Sequence, residues 1–167
     1  FSGSEYTPMW VRQRTWEAHP AAVAQTRDLT WAALADWNLI ELTDPAMLCV
    51  SELATNAILH AVIPSGRVSW LGRTFTVRLL FWPKRAVAIE VQDHDPRPPR
   101  VPDRRVMKPS LSAPDEIGDS SRGLRLVEAC SDFLMWNPTA MGGKAVWCRF
   151  DLEPRKLARP FLMNGNP

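Results

Sequence analysis

Glu52, Asn56 and His60 recur at i, i+4 and i+8 within Ser51-Glu52-Leu53-Ala54-Thr55-Asn56-Ala57-Ile58-Leu59-His60-Ala61. On a helix that spacing stacks an acid, an amide and an imidazole in one line. A carboxylate can orient or deprotonate an attacking hydroxyl. An amide oxygen is a hard ligand suited to Mg²⁺, which keeps several waters and takes phosphate oxygens. Asp93 stands at the end of an alternating strand pattern, and an ionised carboxylate there accepts hydrogen bonds only, so it can read the amino group of an adenine. Ser121-Arg122-Gly123-Leu124 opens a further helix, whose first N–H groups and dipole favour phosphate. The plain alternative for the Glu52–Asn56–His60 line is a solvated polar stripe.

These residues need elements to hold them. Thr43-Asp44-Pro45, a cap residue with proline in the first turn, starts the helix that carries Glu52 and Asn56. Ala46, Met47, Val50, Leu53, Ala54, Ala57, Ile58 and Ala61 share its broad apolar face, roughly opposite the polar line. Before it, Arg14 to Ala18 alternates as a first strand, and a helix from Pro20 to about Trp37 places Val23, Leu29, Ala33, Leu34 and Trp37 near helical spacing. His19 is expected as an exposed turn histidine, and Asn38-Leu39 closes the helix. After a turn at Pro64-Ser65-Gly66, strands Thr74 to Trp82 and Ala86 to Gln92 form a hairpin around Pro83-Lys84-Arg85, with Asp93 just beyond. Strands Phe133 to Asn137 and Lys144 to Leu152 follow the helix opened at Ser121, around a glycine-bearing turn at 138–143. The pattern predicts an α+β fold: a two-layer sandwich with helices on one face of a mixed, mainly antiparallel sheet.

The domain is expected over residues 14–152, with a segment 1–13 of few signals before it and a peripheral tail 153–167 after it. Within it, residues 95–120 hold six of the fifteen prolines, five basic residues among them, and no hydrophobic period. A loop of that length is either a functional lid or a solvated excursion. A net charge of +2 gives no electrostatic case for nucleic acid or a membrane surface, and the longest apolar runs are too short to span a bilayer. Cys49, Cys130 and Cys148 show no Cys-x-x-Cys spacing and read as small buried thiols of a reducing compartment. No leader pattern opens the sequence, so the expected location is cytoplasmic.

Four stretches carry a resemblance. Ser51-Glu52-Leu53-x-Thr55-Asn56-Ala57-x-x-His60-Ala61 resembles the N box of the Bergerat-fold (GHKL, histidine-kinase-like) ATP-binding domains. Val91-x-Asp93-x-Asp95-Pro96-Arg97-x-Pro99 is similar to the first, adenine-reading box of their anti-sigma-factor serine kinase branch. Arg122-Gly123-Leu124-x-Leu126-Val127-Glu128 resembles the second box, and Gly143-Lys144-Ala145-Val146-Trp147 resembles the closing Gly-Lys-Thr-Val-Trp strand. The match runs in order from about Trp16 to Leu152. It implies Asn56 as Mg²⁺ ligand, Glu52 as general base, Asp93 as adenine contact, Ser121, Arg122, Gly123 and Leu124 as phosphate cradle, and 95–120 as ATP lid. His60 admits two roles, holding the lid or packing near Ala61. A metal site at Asp93-His94-Asp95 lacks further ligands.

The resemblance further implies a serine/threonine protein kinase acting as an anti-sigma factor. Such a protein binds a sigma factor, uses Mg-ATP to phosphorylate a STAS-type antagonist, and has precedent as a homodimer. Two departures bear on this. Ala145 stands where the family has threonine beside the adenine-reading acid, and Ser121 where a glycine often precedes Arg122. They favour the alternative, a catalytically impaired or nucleotide-free binding module that regulates through protein contacts.

Overall fold

The computed structural model describes residues 7–60, 74–99 and 119–152. Five strands, β1 (Trp10–Glu17), β2 (Thr74–Trp82), β3 (Ala86–Asp93), β4 (Phe133–Pro138) and β5 (Lys144–Asp151), form one sheet in the order β1-β2-β3-β5-β4. Three helices, α1 (Ala22–Asp36), α2 (Thr43–His60) and α3 (Asp119–Cys130), complete an α+β architecture. The expectations for 61–73, 100–118, residues 1–6 and the tail 153–167 lie outside the described residues.

Every neighbouring pair of strands is antiparallel. This corrects the expected mixed sheet. β4 does run in the same direction as β3, but β5 inserts between them, so among the described residues no two parallel strands touch. The β2–β3 hairpin is as read: Phe75, Val77, Leu79 and Phe81 turn into the core with Val87, Ile89 and Val91, the turn being closed by Arg85 N–H to Trp82 O at 3.0 Å.

β1 begins at Trp10, four residues before the expected start. Its inward positions read Trp10, Arg12, Arg14, Trp16, in register with Phe81, Leu79, Val77 and Phe75. Two arginines on the core side of an edge strand disguise the apolar alternation. Arg12 pairs with Asp36 of α1, and the Arg14 guanidinium lies 5.5 Å over the Trp16 ring. Aromatic stacking then ties this edge down: Phe81 sits between Trp10 and Trp37, with ring centroids 5.4 and 5.0 Å away.

α1 ends as expected at Asn38-Leu39. Asn38 takes φ +57°, and the N–H groups of Leu39 and Asn38 return to the carbonyls of Leu34 and Ala35 at 2.8 and 3.1 Å, a Schellman closure. Thr26 and Thr30 complete its buried stripe by donating their hydroxyls to backbone carbonyls. His19 is exposed, and its Nδ1 accepts the Ala21 N–H at 3.2 Å. α2 starts at Thr43, running on from a 3₁₀ turn at Ile40–Leu42. The Thr43 hydroxyl is buried without a hydrogen bond, so it does not act as the expected cap.

α2 lies between α1 and α3 and packs on β3, with β2 and β5 beside it. Ala46, Cys49, Val50, Leu53, Ala54 and Ala57 are its buried residues. Cys49 and Cys148 are fully buried and Cys130 only partly; a hydrogen bond with Cys49, then burial, pushes the Cys148 thiol well above its ordinary range. Among the described residues no helix is long and apolar enough to cross a membrane.

Candidate functional site

A cleft open to solvent lies where α2 and α3 meet the ends of β3 and β5. Its α2 wall is Leu53, Asn56, Ala57 and His60; its floor is Val91 and Val146; Leu124 comes from α3. Asp93, Asp95, Arg97 and Lys144 supply the charged end, with Pro98 and Pro99 on the rim. The lining has the usual mixture of apolar walls and a few convergent polar groups.

The charged end is built by sheet register. Asp93, the last residue of β3, pairs with Lys144, the first of β5. The Lys144 ammonium donates to Asp93 Oδ1 at 3.0 Å and to the Asp95 carbonyl at 3.2 Å, and lies 3.4 Å from Asp95 Oδ2. Beyond the strand, the Asp95 N–H returns to Asp93 Oδ1 at 2.9 Å and the Arg97 N–H to Asp95 Oδ1 at 3.1 Å. These are two successive Asx turns, which fix the path away from the sheet. The Arg97 guanidinium closes a two-point pair on Asp95, Nε to Oδ1 at 2.8 Å and Nη2 to Oδ2 at 3.1 Å. Two acids and two cations thus neutralise one another, and the side chains of Asp93, Asp95 and Lys144 are only 4%, 4% and 6% exposed.

The two carboxyls are tuned in opposite directions. Burial pushes Asp93 above its ordinary value, against the pull of Lys144 and the Asp95 N–H. Burial also works on Asp95, but hydrogen bonds from the Arg97 side chain and backbone, with the Lys144 charge, hold it below the ordinary value.

Asn56 carries the other notable polar group. Its Nδ2 is buried without a hydrogen-bond partner among the described residues. A buried amide left unsatisfied is costly, and a ligand in the cleft would satisfy it. One protein amide, with waters and phosphate oxygens for the rest, is also an acceptable set for Mg²⁺. Among the described residues no group of three or more His, Cys, Asp or Glu could hold a metal by itself. At Asp93-His94-Asp95 the acids are engaged by cations, while His94 Nε2 lies 3.3 Å from the Thr74 hydroxyl.

Of the residues expected in the site, Asn56, Asp93 and Leu124 meet in the cleft, and His60 joins them. Glu52, Arg122 and Gly123 are not among the residues lining it. Glu52 is half-buried between α2 and α3, its carboxylate against the Gly123 Cα, and Arg122 is exposed. Gly123 is therefore the fifth residue of α3, giving room to an acid, rather than part of an open helix N-terminus. Ser121 falls in the first turn of α3, where only the backbone is described. Ala145 lies opposite Gln92 and alternates with Lys144 and Val146, so it belongs to the sheet face away from the cleft. A threonine hydroxyl at this position would point away from the cleft.

Asp95, Arg97 and Lys144 stand in the stretches of the resemblance, but sequence reasoning gave none of them a role in the nucleotide site. The Asp-x-Asp-x-Arg spacing is a readable signal for consecutive Asx turns. Lys144 stands in the closing Gly-Lys box of the resemblance, but the β3–β5 register is what sets its ammonium against an acid 51 residues away. Compared with models of known protein families and with curated proteins, the chain matches none.

Proposed function

We propose that this chain binds Mg-ATP in the cleft between α2, α3 and the β3–β5 edge, and that it is a Bergerat-type serine/threonine protein kinase. The observation that carries the reading is the convergence of Asn56, Asp93 and Leu124, three residues from three separate stretches, on one cleft. Asn56 would hold Mg²⁺ through its amide oxygen, and the carboxylate of Asp93 would accept the amino group of adenine. The metal supplies charge neutralisation of the phosphates when bound. Glu52 would serve as general base after leaving its place beside Gly123. By the same resemblance, the kinase would act in the cytoplasm as an anti-sigma factor, regulating transcription by phosphorylating a STAS-type antagonist, with a homodimer having precedent in that branch.

Calorimetric titration with Mg-ATP tests the binding step. Saturable binding by the wild type, lost in Asn56→Ala and Asp93→Asn, is the expected result. A folded wild type that takes up no nucleotide overturns it.

One observation favours a second reading, a binding module without catalysis: Glu52 packs against Gly123 instead of lining the cleft. Transfer of the γ-phosphate to a serine of a STAS-type antagonist separates the two. The kinase reading expects transfer that Glu52→Gln abolishes; transfer unchanged in that variant removes Glu52 as the base.

A further inference from the structure

Lys144 is an unusual component for a cleft wall. It lines the cleft, yet its side chain is almost wholly buried and its ammonium is committed to the two acids beside it. Both hydrogen bonds described for the Asp93 carboxylate, from Lys144 Nζ and from the Asp95 N–H, end on Oδ1. Oδ2 has none among the described residues. Two donors on one oxygen fix the plane of the carboxylate and leave the other oxygen as its acceptor.

We infer that Lys144 is a positioning residue for the nucleobase: by engaging Oδ1 of Asp93 it sets Oδ2 as the single acceptor offered to a 6-amino group. The inference rests on the nucleotide reading above and adds to it a residue, a geometry and a specificity. A purine with an amino group at that position donates to Oδ2. A purine with a carbonyl there, as in inosine, sets two acceptors against each other. Arg97 does not substitute for Lys144, because all three of its described hydrogen bonds go to Asp95.

The titratable groups lining the cleft around Asp93 are Lys144 from β5, Asp95 and Arg97 after β3, and His60 from α2. Of these, only Lys144 donates a side-chain hydrogen bond to Asp93. Without it the buried carboxyl loses its cation and takes up a proton more readily. A protonated Asp93 is a poorer acceptor, so removal of Lys144 converts a loss of fixed geometry into a dependence on pH.

The test is the binding of Mg-ATP and Mg-ITP to wild type, Lys144→Met and Lys144→Arg at about pH 6 and about pH 8.5. The wild type and Lys144→Arg should prefer ATP with little change between the two conditions. Lys144→Met should lose most of the preference for ATP over ITP and bind ATP more weakly at the lower pH than at the higher, since the buried Asp93 carboxyl without its cation takes up a proton more readily. A simple loss of folded protein would weaken both nucleotides alike. If Lys144→Met does not fold, the same comparison applies to Lys144→Gln, which fills the space without the charge. Unchanged preference and a flat pH response in the neutral variant overturn the inference alone. A wild type that binds neither nucleotide overturns the nucleotide reading and this inference with it.

Discussion

The Glu52 carboxylate on α2 occupies the space that a Cβ on Gly123 of α3 would need. The rest of Glu52 stands further off, its Cδ 3.4 Å and its Cβ 3.7 Å from that point, so only the mobile end of the side chain is in the way. Glycine at this position therefore gives room to a charged group rather than supporting the helix, since alanine is favoured over glycine in a helix interior by about 0.5–1 kcal/mol.

Gly123→Ala should consequently evict the carboxylate without harming the fold. Urea unfolding is expected to stay within about 1 kcal/mol of wild type, on either side. Phosphotransfer should be kept or rise, because the kinase reading has Glu52 act only after leaving this place beside Gly123. A loss of several kcal/mol would mean that the Glu52 carboxylate cannot leave its place.

Gly143→Ala should behave very differently. An added Cβ there collides with the Asp93 carbonyl oxygen and comes within 2.8 Å of His94 Cα, backbone atoms at and just past the end of β3. Nothing flexible can yield, and overpacking of this kind costs about 1–3 kcal/mol. Chemical denaturation of the variant should show at least that loss, together with weaker nucleotide binding, because the strand end carrying Asp93 must shift. Wild-type values for both would contradict the close approach of β3 and β5.

Acid unfolding should separate the two buried acids. Asp95, held below its ordinary value of 3.8, contributes stability that is present above that value and lost as pH falls through its lower, folded value. Asp93, raised above 3.8, contributes in the opposite sense: its share is full below 3.8 and is lost as pH rises through its folded value. In urea titrations from about pH 2.5 to about pH 6, Asp95→Asn should flatten the acid-side fall, and Asp93→Asn should steepen it above pH 3.8. Slopes that change in the reverse order would refute the assignment.

Phe81→Ala should loosen the β1 edge. The ring is buried between Trp10 and Trp37 and joins the edge strand to the C-terminal end of α1. A buried phenylalanine truncated to alanine costs about 3–5 kcal/mol. Trp10→Ala, at a site 48% exposed, should cost clearly less. Equal losses in thermal unfolding would show that the stack does not centre on Phe81.

Much of this architecture is legible in the chain. The β2–β3 hairpin follows from strict alternation on both sides of Pro83-Lys84-Arg85, and the end of α1 from an asparagine able to take positive φ. Asn56 and Asp93 could be singled out by residue type, since an amide on a largely apolar helix and an acid at the end of a buried strand stand out from their surroundings. Three matters were hidden because they depend on long-range pairing. The first residues of β1 read as polar until Asp36 and the Trp16 ring are known to receive their arginines. The separation of β3 from β4 by β5 is a matter of strand order, to which local pattern is blind. Glu52, placed by helical geometry in line with Asn56, is drawn towards α3 by a gap that only a packed neighbour creates.

The Asp93–Lys144 pair has a further consequence, for how the sheet finds its alignment. A slip of β5 by one residue against β3 would set Gly143 or Ala145 opposite Asp93 and turn Lys144 through to the other side. An acid would then be enclosed without its cation, a mistake that costs about 3–5 kcal/mol in the setting of a broken buried pair. An aliphatic pair at the same place would tolerate such a slip far better. The two charges thus proofread the sheet as it assembles, and a chain that closes with the wrong alignment is penalised at the very point where a ligand would be received.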